Sequence, residues 1–434
     1  MSGLRERMNR LRGTTSEEAA DAGAGAAGRT PNSGEREEAE ESGERLHPAW
    51  AAFGVKAMHT PHGDFLLRKD IYRIDYRHGT HALGELHAAA AGLGGFYPNL
   101  PQPRAEDILF LDLETTGLGV GAGNVPFMTG IAYLSEDGFV VEQALIRHPG
   151  EEYAMLRYLT EKASRFAYLA TYNGKTFDWP LMQNRIIMNG IQRQSLSFLH
   201  LDFLHPSRSI WRNTLASCKL SHIEEERLGI ERGEDVPGSL APQLYFQYLA
   251  DGDPAPLEGV FRHNASDLLS LACLAIRFGR LLSGDLFERL PWPEEAEELI
   301  RTGLWLERMG RHSLADELQR RGAEARSPAL SALLLLAERD KKAGNWERAV
   351  LLWQKAAFSA HSAYDRAVVE ACTELAMYYE HKSKRYGEAL RYAGLALEMA
   401  EARMLPVRGD AKRRAELEGI RKRIDRLKRK LKHA

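Results

Sequence analysis

A chain of 434 residues exceeds one ordinary domain, so two or three are expected, and 44% apolar residues suffice for packed cores. A formal net charge of -2 says nothing about a polyanionic partner, which only the distribution of charge could reveal. Three scattered thiols, Cys218, Cys273 and Cys372, form no CxxC pair, which argues against a zinc site and a disulfide framework.

The N-terminus carries no apolar leader core, and no run of about 18 apolar residues occurs, so a soluble, cytoplasmic protein with no membrane partner is expected. Residues 1–45 hold almost no large apolar side chain after Leu11 and read as a disordered arm. Trp50 begins a different texture, and residues 46–104 read as an N-terminal extension packing on the next domain. Val55–Met58 and Phe65–Leu67 flank Gly63-Asp64 and predict a hairpin. Ile71–Tyr76 alternates like a further strand. His78 and His81 lack a third ligand and read as surface or hydrogen-bonded residues.

From Asp107 the pattern becomes α/β. Strands are predicted over Ile108–Leu113, Phe127–Leu134, Phe139–Ile146 and Tyr168–Tyr172, with an amphipathic helix over 151–164. Three strands in a row followed by alternating helices and strands predict a mixed sheet flanked by helices. Side chains alternate along a strand, so Asp112 and Glu114 share one face at the end of the first strand. Two neighbouring carboxylates repel each other and are costly to desolvate, and a divalent cation is the usual remedy. The glycines at 117, 119, 121 and 123 then turn the chain away from these acids.

Two later stretches add carboxylates. Tyr172-Asn173-Gly174 ends a strand, and a helix starts near Asp178, where a helix N-cap is an equally ordinary role for Asp. Arg262-His263-Asn264-Ala265-Ser266-Asp267 precedes an apolar helix over Leu268–Leu282. This reading places Asp267 in the first turn of that helix, where the dipole favours a carboxylate. Asp202 is a fifth acid, read as a buttress of a neighbouring loop in preference to a ligand. Arg208, Trp211 and Arg212 suit either a nucleic-acid strand or a solvated loop with one core Trp.

Asp112-x-Glu114-Thr115-Thr116-Gly117-Leu118, Asn173-Gly174-x-x-Phe177-Asp178 and His263-x-x-x-Asp267 together resemble the three motifs of the DEDD exonuclease superfamily, which has a ribonuclease-H-like fold. The resemblance covers roughly residues 105–285. In layout the chain is similar to the YprB-like bacterial group, which joins this nuclease domain to helical repeats. Asp202-x-x-His205-Pro206, Leu215-x-x-Cys218-x-Leu220, Ile223-Glu224 and Asp235-x-Pro237-Gly238 look like that group's recurring landmarks.

The resemblance implies a 3′-to-5′ exonuclease that releases mononucleotides with two divalent ions, Mg²⁺ or Mn²⁺. Asp112, Glu114, Asp178 and Asp267 would be the ligands and His263 the general base. Thr115, Leu118 and Asn173 would contact the terminal nucleotide. One departure stands out: the branch of the superfamily that uses His places it five residues before the last Asp, where this chain has Arg262. Single-stranded DNA in repair is the favoured substrate. An RNA exonuclease in RNA turnover, or a non-catalytic nucleic-acid-binding scaffold, is the alternative.

From about Leu304 the chain is helical and repetitive. Gly310-Arg311-His312 recurs as Gly344-Asn345-Trp346 at an offset of 34 residues, and Trp346 recurs as Tyr386 at 40. Residues 290–402 resemble tetratricopeptide repeats, which implies a protein partner, a helicase being the expected one. Over 403–434 a basic amphipathic helix is predicted. Lys412 to Lys432 holds eleven Lys or Arg against three acids, and Leu417, Ile420, Ile424, Leu427 and Leu431 recur on one face. It is expected to cap the repeats while its charged face meets nucleic acid, a membrane surface or solvent.

Overall fold

The apolar runs of the middle of the chain become the central strands of one sheet. In this computed structural model the described residues are 46–117, 119, 121, 123–191, 196–233, 235–284, 291, 293–325, 329–358, 366–402 and 411–432. The expected arm over 1–45, the candidate residue Leu118, and positions 403–410 and 433–434 of the predicted basic helix lie outside them.

Nine strands are assigned among the described residues: β1 Val55–Thr60, β2 Gly63–Tyr72, β3 Arg77–His78, β4 His81–Ala82, β5 Ile108–Thr115, β6 Pro126–Ser135, β7 Gly138–Leu145, β8 Tyr168–Thr171 and β9 Leu199–Asp202. Seven of them form one sheet in the order β1-β2-β7-β6-β5-β8-β9, and β3 and β4 pair separately. β5, β6 and β7 run antiparallel, while β8 and β9 run parallel to β5. The predicted hairpin turns at Pro61-His62, with Gly63 already in β2. Ile71–Tyr76 is not a separate strand, because β2 continues to Tyr72 by pairing with β7. That pairing adds the hairpin to the edge of the sheet.

Numbering only helices of eight residues or more, α1 is Glu152–Ala163, α2 Asp178–Met188, α3 Leu204–Trp211, α4 Ala241–Asp251 and α5 Leu257–Ser283. Alternation along the strands serves two faces. Phe110, Phe139 and Ala170 pack with Leu268, Leu271 and Ala275 of α5. On the other face Leu109, Leu111 and Leu169 meet Leu159 of α1 and Met182 and Ile186 of α2. The expected mixed sheet flanked by helices is thus the observed one.

An all-helical region follows. It comprises α6 Ala296–Arg308, α7 His312–Glu324, α8 Leu330–Lys342, α9 Trp346–Ala357, α10 Arg366–His381, α11 Tyr386–Ala402 and α12 Ala411–Lys432. The repeat offsets mark equivalent turns. Gly310 and Gly344, with φ of 78° and 82°, turn the chain into α7 and α9, and Lys384, with φ of 57°, does the same before α11. The core of the α/β region continues into the first helical pair: Leu299, Trp305, Leu306, Ala315 and Leu318 belong to the same apolar cluster as Phe110 and Phe278. Trp305 stands 5.6 Å from Phe278 between ring centroids. Buried Glu298 ties the junction by accepting from Trp211 Nε1 at 2.8 Å and from Arg227 at 2.9 Å. Trp211 is therefore a core residue, and the strand-stacking role does not apply to it.

α12 docks as a cap. Leu417, Ile420 and Leu427 are buried, whereas Leu431 is 42% exposed. Glu380 of α10, fully buried, takes Arg423, Arg426 and Lys430 of α12 at 2.8–3.0 Å. Part of the basic face is thus turned inward against the helical region.

Candidate active site

β5 is buried along its length except at Asp112, which is partly exposed. A bulge at Glu114/Thr115 ends its pairing with β6, and the glycine-bearing turn leaves the sheet there. Asp178 is the first residue of α2, and Phe177 occupies the N-cap position without a side-chain capping bond. The capping reading of Asp178 therefore gives way. Asp267 lies well inside α5, which starts at Leu257, so the first-turn placement is corrected. Val260 and Phe261 carry the apolar stripe of this helix two turns further back than the sequence pattern suggested.

The four carboxylates converge on one place and disfavour each other's charge. Burial first, then Asp267, Glu114 and Asp178, push the Asp112 carboxyl well above the ordinary range. Burial, Asp267 and Asp178 do the same to Glu114. Burial and nearby Asp202 and Asp267 push Asp178 up to about 7, against backbone hydrogen bonds that favour its charged form. Burial raises Asp267 despite the opposing pull of Arg232 and His263. Among the described residues no three Asp, Glu, His or Cys side chains already surround a common point as metal ligands do.

Helical periodicity decides which cationic or basic side chain shares the face of Asp267. His263 is one turn before it, with Nε2 3.8 Å from Asp267 Oδ2, while Arg262 points outward and is exposed. His263 Nδ1 lies 2.9 Å from Asp235 Oδ2 and 3.0 Å from Arg232. Because the guanidinium can only donate and is already engaged by carboxylates, the consistent assignment has Nδ1–H donating to Asp235. Nε2 is then left with its lone pair. Gly238 is the last piece: a Cβ there would fall 2.9 Å from His263 Nε2.

Arg232 bonds Glu224 at 2.5 and 2.6 Å, Asp235 at 3.0 Å, and Asp267. Burial opposes its charge, but the bonds to Glu224 and the attraction of Asp267 outweigh that and hold its pKa above the usual range. The landmarks Ile223-Glu224 and Asp235-x-Pro237-Gly238 thus acquire physical roles as anchors of Arg232 and His263. Arg232 itself was missed, since it stands in a Glu-Arg-Gly-Glu-Asp stretch that reads as a solvated loop.

A second missed feature lies beneath Asp112. Asn264, fully buried, donates Nδ2 to Asp112 Oδ2 at 2.8 Å and accepts from Gln143 Nε2 at 2.9 Å. Gln143 also donates to the Phe261 carbonyl at 2.7 Å. Gly130 is the register partner of both Asp112 and Gln143, and a Cβ there would sit 2.1 Å from Asn264 Oδ1. The glycine opens the space that the amide fills. A polar residue inside an otherwise apolar helix was the available signal.

The remaining candidates are held by the chain itself. Thr115 donates Oγ1 to the Gly117 carbonyl at 2.7 Å. Asn173, exposed, takes a φ of 70°, a left-handed conformation that Asn tolerates well, and its Oδ1 accepts from Thr176 at 2.9 Å. Asp202 accepts the amides of Asn173, Lys175 and Leu204 at 2.9–3.1 Å, which makes it the buttress of that loop. His78 meets Ser270 at 2.9 Å and His81 meets Glu85 at 3.1 Å.

Three antiparallel strands, two parallel ones and a carboxylate cluster at the end of the central strand define a ribonuclease-H-like protein. Residues 109–278 match the RNase_H superfamily. Over 387 residues the chain is 34% identical to the uncharacterized protein YprB of Bacillus subtilis (strain 168), covering 88% of this chain and 90% of that protein. The chain belongs to the YprB family. Among the described residues no helix is long and apolar enough to cross a membrane.

Proposed function

We propose that this chain is a metal-dependent 3′-to-5′ exonuclease that hydrolyses phosphodiester bonds, with DNA in repair as its substrate. The carrying observation is the largely buried cluster of Asp112, Glu114, Asp178 and Asp267, each raised in pKa by desolvation and, in varying degree, by its acidic neighbours. An all-oxygen donor set that repels itself fits hard divalent ions such as Mg²⁺ or Mn²⁺. Asp112 and Glu114, with Asp267, would hold one ion and Asp178 would reach a second. Bound there, two such ions supply Lewis acidity toward the phosphate and toward water.

The chain's own residues supply the rest. Asn264 fixes the Asp112 carboxylate, so the donor at the centre of the cluster cannot rotate away. Asp235 orients His263, whose Nε2 would take the proton of the attacking water. The reaction adds that water across a P–O bond and yields a nucleoside 5′-monophosphate and a chain shortened by one. Thr115, Asn173 and the neighbouring Leu118 are assigned to the terminal nucleotide by family resemblance. The helical region would recruit a protein partner, a helicase being the expected one.

Labelled single- and double-stranded DNA and RNA are incubated with the full chain and Mg²⁺ or Mn²⁺. The expected result is a ladder from the 3′ end that EDTA and Asp112→Asn both abolish. Preference for RNA would redirect the reading to RNA turnover. Binding with no cutting of any substrate would refute the enzyme reading in favour of a nucleic-acid-binding scaffold.

A further inference from the structure

We propose that the cavity between the free edge of β9 and the start of the helical region holds a nucleotide of a single-stranded phosphodiester chain beyond the one being cut. This rests on the exonuclease reading and assigns the strand a path. The cavity encloses about 410 Å³, at the small end of pockets that hold a drug-sized or cofactor-sized ligand. Phe96, Tyr97, Trp305 and Met309 give it an apolar wall, and Lys175 and Arg308 line it as cations.

Three observations point to a polyanionic strand. The acid lining the cavity, Asp202, has its hydrogen-bonding capacity turned to the chain itself, because its two oxygens accept three backbone amides. Lys175 and Arg308, both exposed, have no ion-pair partner among the described residues. The cavity and the candidate active site also share one loop: Lys175 follows Asn173 by two residues and precedes Asp178 by three, and Asp202 pins that loop. An apolar wall with unpaired cations suits a base and sugar on one side and phosphates on the other. Arg308 belongs to α6, so the helical region takes part in holding the substrate as well as any protein partner.

Fluorescence anisotropy of labelled dT12 and rU12 with the full chain in EDTA reads binding without cutting. The double variant Lys175→Glu, Arg308→Glu is expected to weaken binding of at least one polymer about tenfold. It should also reduce the salt dependence by about 1.4, the effect of two lost phosphate contacts on a single strand. Lys56→Glu, exposed on β1 at the opposite edge of the sheet, is expected to change binding less than twofold. Lys175→Arg, Arg308→Lys should restore binding, separating charge from folding. A double variant no weaker than Lys56→Glu overturns the proposal. Cutting by the unsubstituted chain is scored separately. Cutting with unchanged affinity in the double variant refutes the strand site alone; lost affinity without cutting by the parent chain refutes the exonuclease alone.

Discussion

Glu380 is the residue on which the docking of α12 is expected to turn. Hydrogen bonds from Arg426 above all, with Lys430 and His381 assisting and burial opposing, lower its pKa from 4.5 to about 2. At 1.36 kcal/mol per pKa unit that drop corresponds to about 3 kcal/mol. Arg426 and Lys430 are 42% and 36% exposed, so solvent screening reduces the expected contribution to about 1–2 kcal/mol. A depressed carboxyl stabilises the folded state above its unfolded pKa, so the contribution is complete above pH 4.5 and fades as pH falls toward 2. Glu380→Gln should therefore lower the urea-unfolding free energy by about 1–2 kcal/mol at pH 7. The gap to the parent protein should close progressively below pH 4.5. Limited trypsin digestion should cut within α12 sooner in the variant, because Lys412 to Lys432 holds eleven Lys or Arg and an undocked helix frays into the extended backbone that the protease needs. A loss equal at pH 7 and pH 2.5, or none at pH 7, would refute the argument.

Three other substitutions test separate parts of the chain. Asp112→Asn removes a half-buried carboxyl whose charge its neighbours disfavour, so in EDTA at pH 7 the thermal unfolding midpoint should rise by a few degrees even as cutting is lost; a fall would mean the cluster is not electrostatically strained. Gly130→Ala must displace the Asn264 amide, breaking one bond to a carboxylate and one to an amide, for a loss of about 2–4 kcal/mol by urea unfolding; a loss below about 1 kcal/mol would show that the pocket yields. Lys384→Gly relieves a left-handed backbone in a turn whose equivalents are already glycine, and should stabilise by about 0.5–1 kcal/mol, read by the same method. An unchanged or lower stability would count against it.

Much of the sheet was legible because burial on two faces writes itself as apolar runs. Ile108–Leu113 and Phe127–Leu134 gave the central strands, and the period of two placed Asp112 and Glu114 together. β2 ran past its predicted end because its register with β7, whose paired residues are 67 or more positions away, decides its length. The start of α5 was hidden by Arg262-His263-Asn264, three polar residues that interrupt the apolar period for different reasons: one faces solvent, one faces the carboxylates, and one is buried beneath Asp112. Asn264 and Arg232 went unread for a common cause. Each makes its decisive bond to a residue far away in sequence, Asn264 to Asp112 and Arg232 to Asp267, and local spacing does not name such a partner.

The core shared between the sheet and the first helical pair has an engineering consequence. Sequence similarity suggests scissors near residue 290, with a catalytic piece on one side and a recruiting piece on the other. Phe278 and Trp211 would then lose Trp305 and Glu298, and each half would carry a wet hydrophobic scar. A fragment beginning at residue 300 would open α6 in its second turn. The unit that folds is therefore larger than the unit that matches the RNase_H superfamily, and a load applied to the helical end by a bound partner reaches the sheet through packed rings without crossing a loose tether.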